Sequence, residues 1–312
     1  MLQWLTDSNG RWHDACFKGS AWGIPRHGPT KEGVHMKKSL AVLAAAAGFA
    51  FAAPASAVVV GGIDFGTMGE SPSNRHLETA TLAQQFVTGN GQDARAYGFI
   101  TSVNGDTTYC AGGGNCGLFY IADFRGSQNF SGSYVEFTSS TIQVYFTNDA
   151  SLNLLNQNSL VNIATIEAMT PWVTLSGHNN LGGTASPDAV TTGAGRLTGS
   201  TLSGNAEGLL DVTGGIAEVA AFLDSNTIAD AAGGFADIAY TASFNNFVLN
   251  QFDVQAGLAN GCRNGTAAAG AWCYQGTSNM RGETIQVPAP APLALLAIGL
   301  FGLGVVSRSR KS

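Results

Sequence analysis

The stretch AYGFITSVNGDTTYC, residues 96–110, decides the fold class of this chain. Its first half, residues 96–103, alternates with the period of two that predicts a β-strand with one buried face. Asn104 and Gly105 follow, and this pair supplies the positive backbone φ angles that a two-residue type I′ turn requires. The stretch therefore predicts a β-hairpin whose second strand covers residues 107–110.

Further strand patterns follow at a spacing of roughly ten residues. In residues 141–147, Ile142, Val144 and Phe146 share one side, as in a half-buried strand. Other strands are predicted over residues 58–69, 117–124, 132–138, 160–166, 172–176, 201–213 and 234–249. Many short strands with few helices predict an all-β domain, an antiparallel β-sandwich or jelly-roll-like fold.

Several segments depart from this pattern. Residues 76–88 fit a helix or a strand, and residues 216–223 are the best helix candidate. Residues 179–199 are rich in turn-forming side chains, and they and residues 257–281 are predicted to be loops. Residues 89–94 read GNGQDA and match a dinucleotide-binding fingerprint, but no βαβ unit surrounds them, so a hairpin loop is favoured.

The charge of the central region limits its partners. Residues 58–286 carry eighteen acidic side chains against six arginines and no lysine, a net charge of −12. A surface this acidic repels phosphate backbones, so nucleic acid is not expected as a partner. Phe, Tyr, Val, Ile and Leu recur throughout the region, so it can form a core despite its low density of charge.

The cysteines predict an oxidising compartment. Four lie in the central region: Cys110, Cys116, Cys262 and Cys273. Four cysteines allow three pairings, and the local pairs 110 with 116 and 262 with 273 are favoured because their glycine-containing loops can bend without strain. A zinc site is the alternative, but neither pair has zinc-knuckle spacing, and His76 and His178 are isolated. Disulfides are typical of exported proteins.

Two common catalytic motifs are absent from the sequence. It contains neither a G-x-S-x-G elbow nor an H-E-x-x-H helix. His178 lies in the turn SGHNNLGG and is predicted to be an exposed loop residue. We therefore expect no enzymatic activity, and glycan hydrolysis by a carboxylate pair is the alternative.

Two binding activities stay open. Five acidic residues recur every six or seven positions and suggest a solvated rim, or oxygen ligands for Ca²⁺; they are Asp211, Glu218, Asp224, Asp230 and Asp237. No other cofactor is expected. Nine aromatic residues could form a core or, on an outer face, a platform for sugars: Tyr97, Phe99, Phe119, Tyr120, Phe124, Tyr134, Phe137, Tyr145 and Phe146.

The front of the chain has the order of a secretion signal. A basic start at Met36 is followed by fourteen apolar residues, 40–53, and by the small-x-small cleavage site formed by Ala55 and Ala57. Residues 36–57 are thus predicted to be a signal peptide, with secretion machinery and signal peptidase as partners. Residues 1–35 show no period and are predicted to be a disordered upstream extension, translation starting at Met36; a long signal n-region is the alternative.

The end of the chain, VPAPAPLALLAIGLFGLGVVSRSRKS, has three ordered parts. Val287, Pro288, Ala289 and Pro290 open a stiff, extended segment. The apolar run that follows, residues 291–306, would form a helix about 24 Å long against a hydrocarbon core of about 30 Å. The basic end consists of Arg308, Arg310 and Lys311, which favour the cytoplasmic side.

This order resembles the PEP-CTERM sorting signal of Gram-negative bacteria, with Ala289 where that signal has glutamate. The runs YGFITSVNGDTTYC and GNAEGLLDVTGG are also similar to β-rich exported domains found with such signals. The resemblance implies a β-rich domain at 58–284 and a sorting tail at 285–312 that exosortase processes. It also implies a transient inner-membrane anchor and release to the cell surface or exopolysaccharide matrix; an ordinary tail anchor is the alternative.

The expected role is structural or adhesive. The first alternative is a carbohydrate- or Ca²⁺-binding adhesion module, and the second is a secreted glycan hydrolase.

Overall fold

The computed structural model describes residues 57–67, 75–149, 151–198, 201–247, 261–262 and 265–283. The predicted upstream extension and the sorting tail lie outside these residues, as does the predicted signal peptide apart from its last residue. No helix of the described part is long and apolar enough to cross a membrane.

The described residues form mostly strands, as the sequence predicts, with two short α-helices. The strands are β1 (Ala57–Val60), β2 (Ile63–Thr67), β3 (His76–Gln85), β4 (Ala94–Val103), β5 (Gly117–Ser131), β6 (Tyr134–Thr147), β7 (Thr170–Gly177), β8 (Thr191–Thr198), β9 (Thr201–Gly215), β10 (Ile228–Ala229), β11 (Phe235–Ala236), β12 (Ile238–Asn245) and β13 (Trp272–Gly282). The helices are α1 (Ser159–Glu167) and α2 (Ala217–Leu223).

One antiparallel sheet closes on itself. Its strands run in the order β12-β13-β3-β4-β5-β6-β7-β9, and β9 pairs again with β12, so eight strands form a closed barrel. Strands β7 and β8 both lie between β6 and β9, one beyond the other along the length of those two strands. Strand β8 pairs with residues 134–137 of β6 and 201–208 of β9, and β7 pairs with the following residues of both.

The predicted β-sandwich or jelly roll is therefore wrong, although the all-β class is confirmed. A sandwich needs two facing sheets, whereas here the outer edges of one sheet bond to each other through β9 and β12. Strands in both architectures have one buried and one outward face, so alternation of residues does not distinguish them. What distinguishes them is pairing between distant strands.

The two faces of the barrel wall are packed differently. In β5, Leu118, Tyr120 and Phe124 point into the barrel and belong to its main core. Phe119 and Ile121 alternate with them on the outside, where a smaller core that includes Ile163 and Ile166 of α1 covers this part of the wall. The barrel is thus filled by side chains and shielded on one flank by a helix.

The two ends of the barrel also differ. At one end the β1–β2 hairpin and α2 form a plug: the ring centroids of Phe65 and Phe222 lie 4.7 Å apart. The Trp172 indole donates a hydrogen bond of 3.0 Å to the Gly61 carbonyl and ties the plug to β7. At the other end lie the β3–β4 and β5–β6 turns and the beginnings of β9 and β13. We call these the plugged end and the open end.

Several predicted elements are confirmed. Helix α2 lies within residues 216–223, β9 covers 201–213, and residues 76–88 prove to contain a strand, β3. Asn104 and Gly105 have the positive φ angles expected of the turn, 51° and 82°. The GNGQDA segment forms most of the connection between β3 and β4, as a hairpin loop does.

Other predicted elements are wrong. Residues 160–166 lie in α1, because the Asn158 side chain accepts a hydrogen bond from the Val161 amide and caps a helix there. Residues 132–138 and 141–147 form one strand, β6, rather than two. The predicted loops at 179–199 and 257–281 contain β8 and β13. The hairpin after β4 shrinks to one bridge between Val103 and Asp106, because Cys110 bridges to Ile63 instead.

Candidate functional site

Most of the predicted sorting residues lie outside the described part of the chain. Ala57 is the exception, and it is the exposed first residue of β1. The processing motif (Val287, Pro288, Ala289 and Pro290), the basic end (Arg308, Arg310 and Lys311) and Ala55 stay predictions.

The predicted local disulfides are confirmed. Cys110 bonds to Cys116 with a Cα–Cα distance of 5.7 Å, and Cys262 bonds to Cys273 with a Cα–Cα distance of 5.2 Å. The first bridge closes the loop between β4 and β5 near the plugged end. The second is buried at the open end, in one apolar cluster with Phe86 of the β3–β4 turn.

His178 is not the exposed loop residue that the sequence predicts. Its Nδ1 lies 2.9 Å from Oδ2 of Asp211 in β9, and its Nε2 lies 3.1 Å from Oδ2 of Asp230 between β10 and β11. Burial lowers the pKa of His178, but the hydrogen bonds to the two carboxylates outweigh this effect and raise it. Both ring nitrogens face carboxylates, so neither is left to activate a nucleophile. His178 holds the segment after β7 and the β10–β11 hairpin to β9.

The acidic series is a solvated rim only in part, because Glu218 and Asp224 are exposed whereas Asp237 is buried. Asp237 is 2% exposed, and its carboxylate accepts hydrogen bonds from the amides of Val212, Ser225 and Asn226. Glu218 accepts a hydrogen bond of 2.9 Å from the Gly61 amide. These carboxylates satisfy backbone donors.

Within the described ranges, no three His, Cys, Asp or Glu side chains converge to hold a metal ion.

A cavity at the open end of the barrel is the strongest candidate for a binding site. Its volume is about 130 Å³, and it reaches from the exposed β5–β6 turn down to Tyr240 in the barrel. Eight aromatic side chains form much of its wall: Phe86, Phe124, Phe130, Tyr134, Phe137, Tyr240, Phe244 and Tyr274. Open barrel ends are a common place for small-molecule sites.

Six of these aromatic rings fall into two groups. Tyr274 contacts Phe244 edge-on at a centroid distance of 5.3 Å and Phe86 at 5.6 Å. Phe124 packs 5.5 Å from Phe137 and 6.5 Å from Tyr240. The Cys262–Cys273 bridge clusters with the first group and fixes the strand residue next to Tyr274. These contacts make the wall rigid.

Buried hydroxyls lie deeper in the barrel. The Tyr120 hydroxyl is 2.6 Å from Oγ1 of Thr81, and burial raises the pKa of Tyr120 to about 12. Oγ1 of Thr79 is 2.7 Å from Oγ of Ser278 on the neighbouring strand. These hydroxyls are thus hydrogen-bonded to one another in pairs. The Tyr274 hydroxyl differs, because it has no hydrogen-bond partner among the described residues, and burial raises its pKa.

The lining restricts what the cavity can do. The described residues that form it include no Asp, Glu, His or Cys, so a two-carboxylate hydrolase mechanism has no acid pair there. Of the nine aromatic residues considered as a sugar platform, six are buried, and Phe99, Tyr134 and Phe146 are half-buried. The apolar wall with a few hydroxyl groups is suited to binding a small molecule.

Sequence reasoning identified only part of this site. It placed Tyr240 and Phe244 within the predicted strand at 234–249, where the structure has β12, and it singled out Phe124 and Phe137 as aromatic strand residues. It missed the role of Tyr274, which lay in a predicted loop. A usable signal was present, since the aromatic residues Trp272 and Tyr274 are of a type enriched in strands.

The fold and the cavity together define a closed antiparallel barrel, stapled by two disulfides, with a small aromatic-walled site at one end. Comparison with protein-family models, curated proteins and solved structures gives no match for this chain.

Proposed function

We propose that the chain is an exported, non-enzymatic protein with a structural or adhesive role at the cell surface or in the exopolysaccharide matrix. In this proposal a signal helix at 36–57 directs export, and a tail helix at about 291–306 anchors the precursor in the inner membrane. Exosortase then acts on the tail near Val287, Pro288, Ala289 and Pro290, and releases the β domain.

The two disulfides carry this proposal. Thiols in the reducing cytosol stay unpaired, whereas proteins of the periplasm and the exterior keep such bridges. Both bridges close short loops, with sequence separations of 6 and 11, and both pack against apolar side chains. Both bridges are therefore part of the packed domain, which supports the proposal that it folds in an oxidising compartment.

The surface chemistry agrees with an extracellular role. The barrel wall is closed, so among the described strands the sheet offers no long unpaired edge for unwanted association. The net charge of −12 over residues 58–286 makes copies of the domain repel each other, which favours solubility. It also makes the domain repel anionic polymers unless cations screen the repulsion.

Processing of the tail tests the proposal. The full chain is expressed in matched strains with and without exosortase, and the C-terminal peptide is followed by mass spectrometry. We expect a tail shortened near residues 288–290 only when exosortase is present. The double variant Pro288→Ala/Pro290→Ala should lose processing, whereas Pro292→Ala, outside the motif, should retain it. An intact tail in both strains would contradict exosortase processing.

Thiol labelling tests the compartment separately. Alkylation of the whole-cell protein without reductant should leave all four domain cysteines unmodified. Extensive alkylation in cells with working export would argue against an oxidising location, even if the tail were cleaved.

A further inference from the structure

We propose that the cavity at the open end of the barrel binds a small uncharged aromatic molecule that carries one hydrogen-bonding group, the class of which phenol is the simplest member. This inference rests on the geometry of the barrel and is independent of export and tail processing.

The size of the cavity limits the ligand to about one ring. A volume of about 130 Å³ is close to that of an engineered apolar cavity of about 150 Å³ that accepts benzene in another protein. A disaccharide or a long acyl chain is larger than that space and would extend beyond the aromatic wall. The ligand is thus a single ring with a small substituent.

The charge of the lining requires a neutral ligand. Among the described residues of the wall there is no ionisable group besides tyrosine, so a buried ammonium or carboxylate would have no counter-charge. Glu136, on β6 between the lining residues Val135 and Phe137, is fully buried and already accepts hydrogen bonds from Asn129 at 2.6 Å and Tyr134 at 2.9 Å. It is not free to pair with a cationic ligand.

The aromatic wall favours a flat ring over an alkyl group of similar volume. Tyr274 and Phe244 meet edge to face, and Phe86 and Phe124 add further rings to the same space. A ring inserted among them continues these edge-to-face contacts, which contribute beyond the area that is buried. A sugar ring would instead need partners for hydroxyls around its whole edge.

Tyr274 supplies the polar contact. It lies on the face of β13 that lines the cavity, and its side chain is 8% exposed. Its hydroxyl bonds to no described residue and keeps access to solvent, so it can donate to or accept from a ligand that enters the cavity. One donor or acceptor on the ligand would satisfy it, as the hydroxyl of phenol does.

Binding is measured on the full-length protein by titration calorimetry with phenol, benzene, cyclohexanol and glucose. We expect phenol to bind with a Kd on the order of 1 mM or tighter, and more tightly than cyclohexanol. Glucose should not bind in this range.

Variants then locate the site. Ala206 lines the cavity from β9, so Ala206→Leu should fill it and abolish phenol binding. Asn205→Leu adds the same side chain on the exposed side of the same strand and should leave phenol binding unchanged. Val135→Phe obstructs the cavity from β6 and serves as a second blocking variant if Ala206→Leu does not fold.

Tyr274→Phe tests the polar contact. The variant keeps the ring packing but removes the hydroxyl, so phenol affinity should fall about five- to tenfold while benzene affinity changes less than about twofold.

Absence of phenol binding to the wild-type protein at concentrations up to about ten times the expected Kd would overturn the proposal. So would phenol binding that survives both blocking variants, equal losses for phenol and benzene in Tyr274→Phe, or tighter binding of cyclohexanol or glucose than of phenol.

Discussion

His178 makes the stability of the domain depend on pH. Because its pKa is raised in the folded state, its contribution is complete below the unfolded pKa of about 6.5 and is lost as the pH rises through the folded value. We expect His178→Gln to lower the free energy of unfolding by about 1–2 kcal/mol at pH 5.5 and by clearly less at pH 8.5. Urea unfolding of wild type and variant at both pH values measures this difference.

The control for His178 lies on the same pair of strands. Oγ of Ser176 is 2.9 Å from Oγ1 of Thr213, a bond between β7 and β9 that does not titrate. Ser176→Ala should therefore cost the same at both pH values. At the acid end, the hydrogen bond from His178 lowers the pKa of Asp230 to about 2, so the contribution of Asp230 is lost only as the pH falls from about 4 toward that value. An equal cost of His178→Gln at pH 5.5 and 8.5 would contradict this account.

Glu136 is a buried carboxylate with a fixed set of donors. Burial raises its pKa, but hydrogen bonds from Asn129, the Ala185 amide and Tyr134 outweigh burial and hold the pKa below its usual range. Glu136→Gln turns one acceptor oxygen into a donor that faces other donors. We expect a loss of about 2–4 kcal/mol in the free energy of unfolding, measured in urea at pH 7.

Glu207→Gln is the matched control for Glu136, because Glu207 is exposed on β9. It should change stability by less than about 0.5 kcal/mol. Similar effects of the two substitutions would mean that the buried hydrogen bonds of Glu136 add little.

The two disulfides differ at the scale of elements. Their sequence separations of 6 and 11 predict contributions of about 2 and about 3 kcal/mol through restriction of the unfolded chain. The double variant Cys262→Ser/Cys273→Ser should therefore lose more stability than Cys110→Ser/Cys116→Ser. Thermal unfolding measures both losses.

The location of the bridges gives a second readout. The Cys262–Cys273 bridge belongs to the cluster that contains Phe86 and Tyr274, whereas the other lies near the plugged end. Removing the former should weaken phenol binding several-fold, and removing the latter should not. The reverse pattern would show that the cavity wall does not depend on the adjacent bridge.

The local pattern of the sequence was sufficient to predict individual strands but not their partners. The alternation of Ile142 and Val144 and the turn at Asn104 depend on neighbouring residues, and both predictions are confirmed. Closure depends on pairs such as His76 with Arg281, which are 205 residues apart and leave no local signature.

Strand β13 was missed for a physical reason. Its glycines read as loop residues, yet a Cβ atom at Gly276 would collide with the Ser243 carbonyl of β12. Glycine is needed there for close approach of two strands and not for a turn. Because Tyr274 belongs to β13, the main polar group of the cavity could not be assigned from the sequence.

At the scale of the whole molecule, β13 joins both halves of the barrel. It pairs with β12 on one side and with β3 on the other. A chain of residues 57–283 should unfold cooperatively in urea, because it contains every described strand. A chain of residues 57–271 lacks β13 and opens the barrel, so it should show no cooperative transition and no dispersed amide spectrum. Cooperative unfolding of the shorter chain would contradict the role of closure.

The plugged end is also where the chain enters and leaves the barrel. His76 begins β3 and pairs with Arg281 near the end of β13, so the polypeptide enters and leaves the barrel on the side opposite the aromatic cavity. If the domain were attached through residues after 283, the attachment would therefore be at the plugged end. In the proposed anchored precursor, the open end would then face the surrounding medium, from which dissolved compounds could enter the cavity.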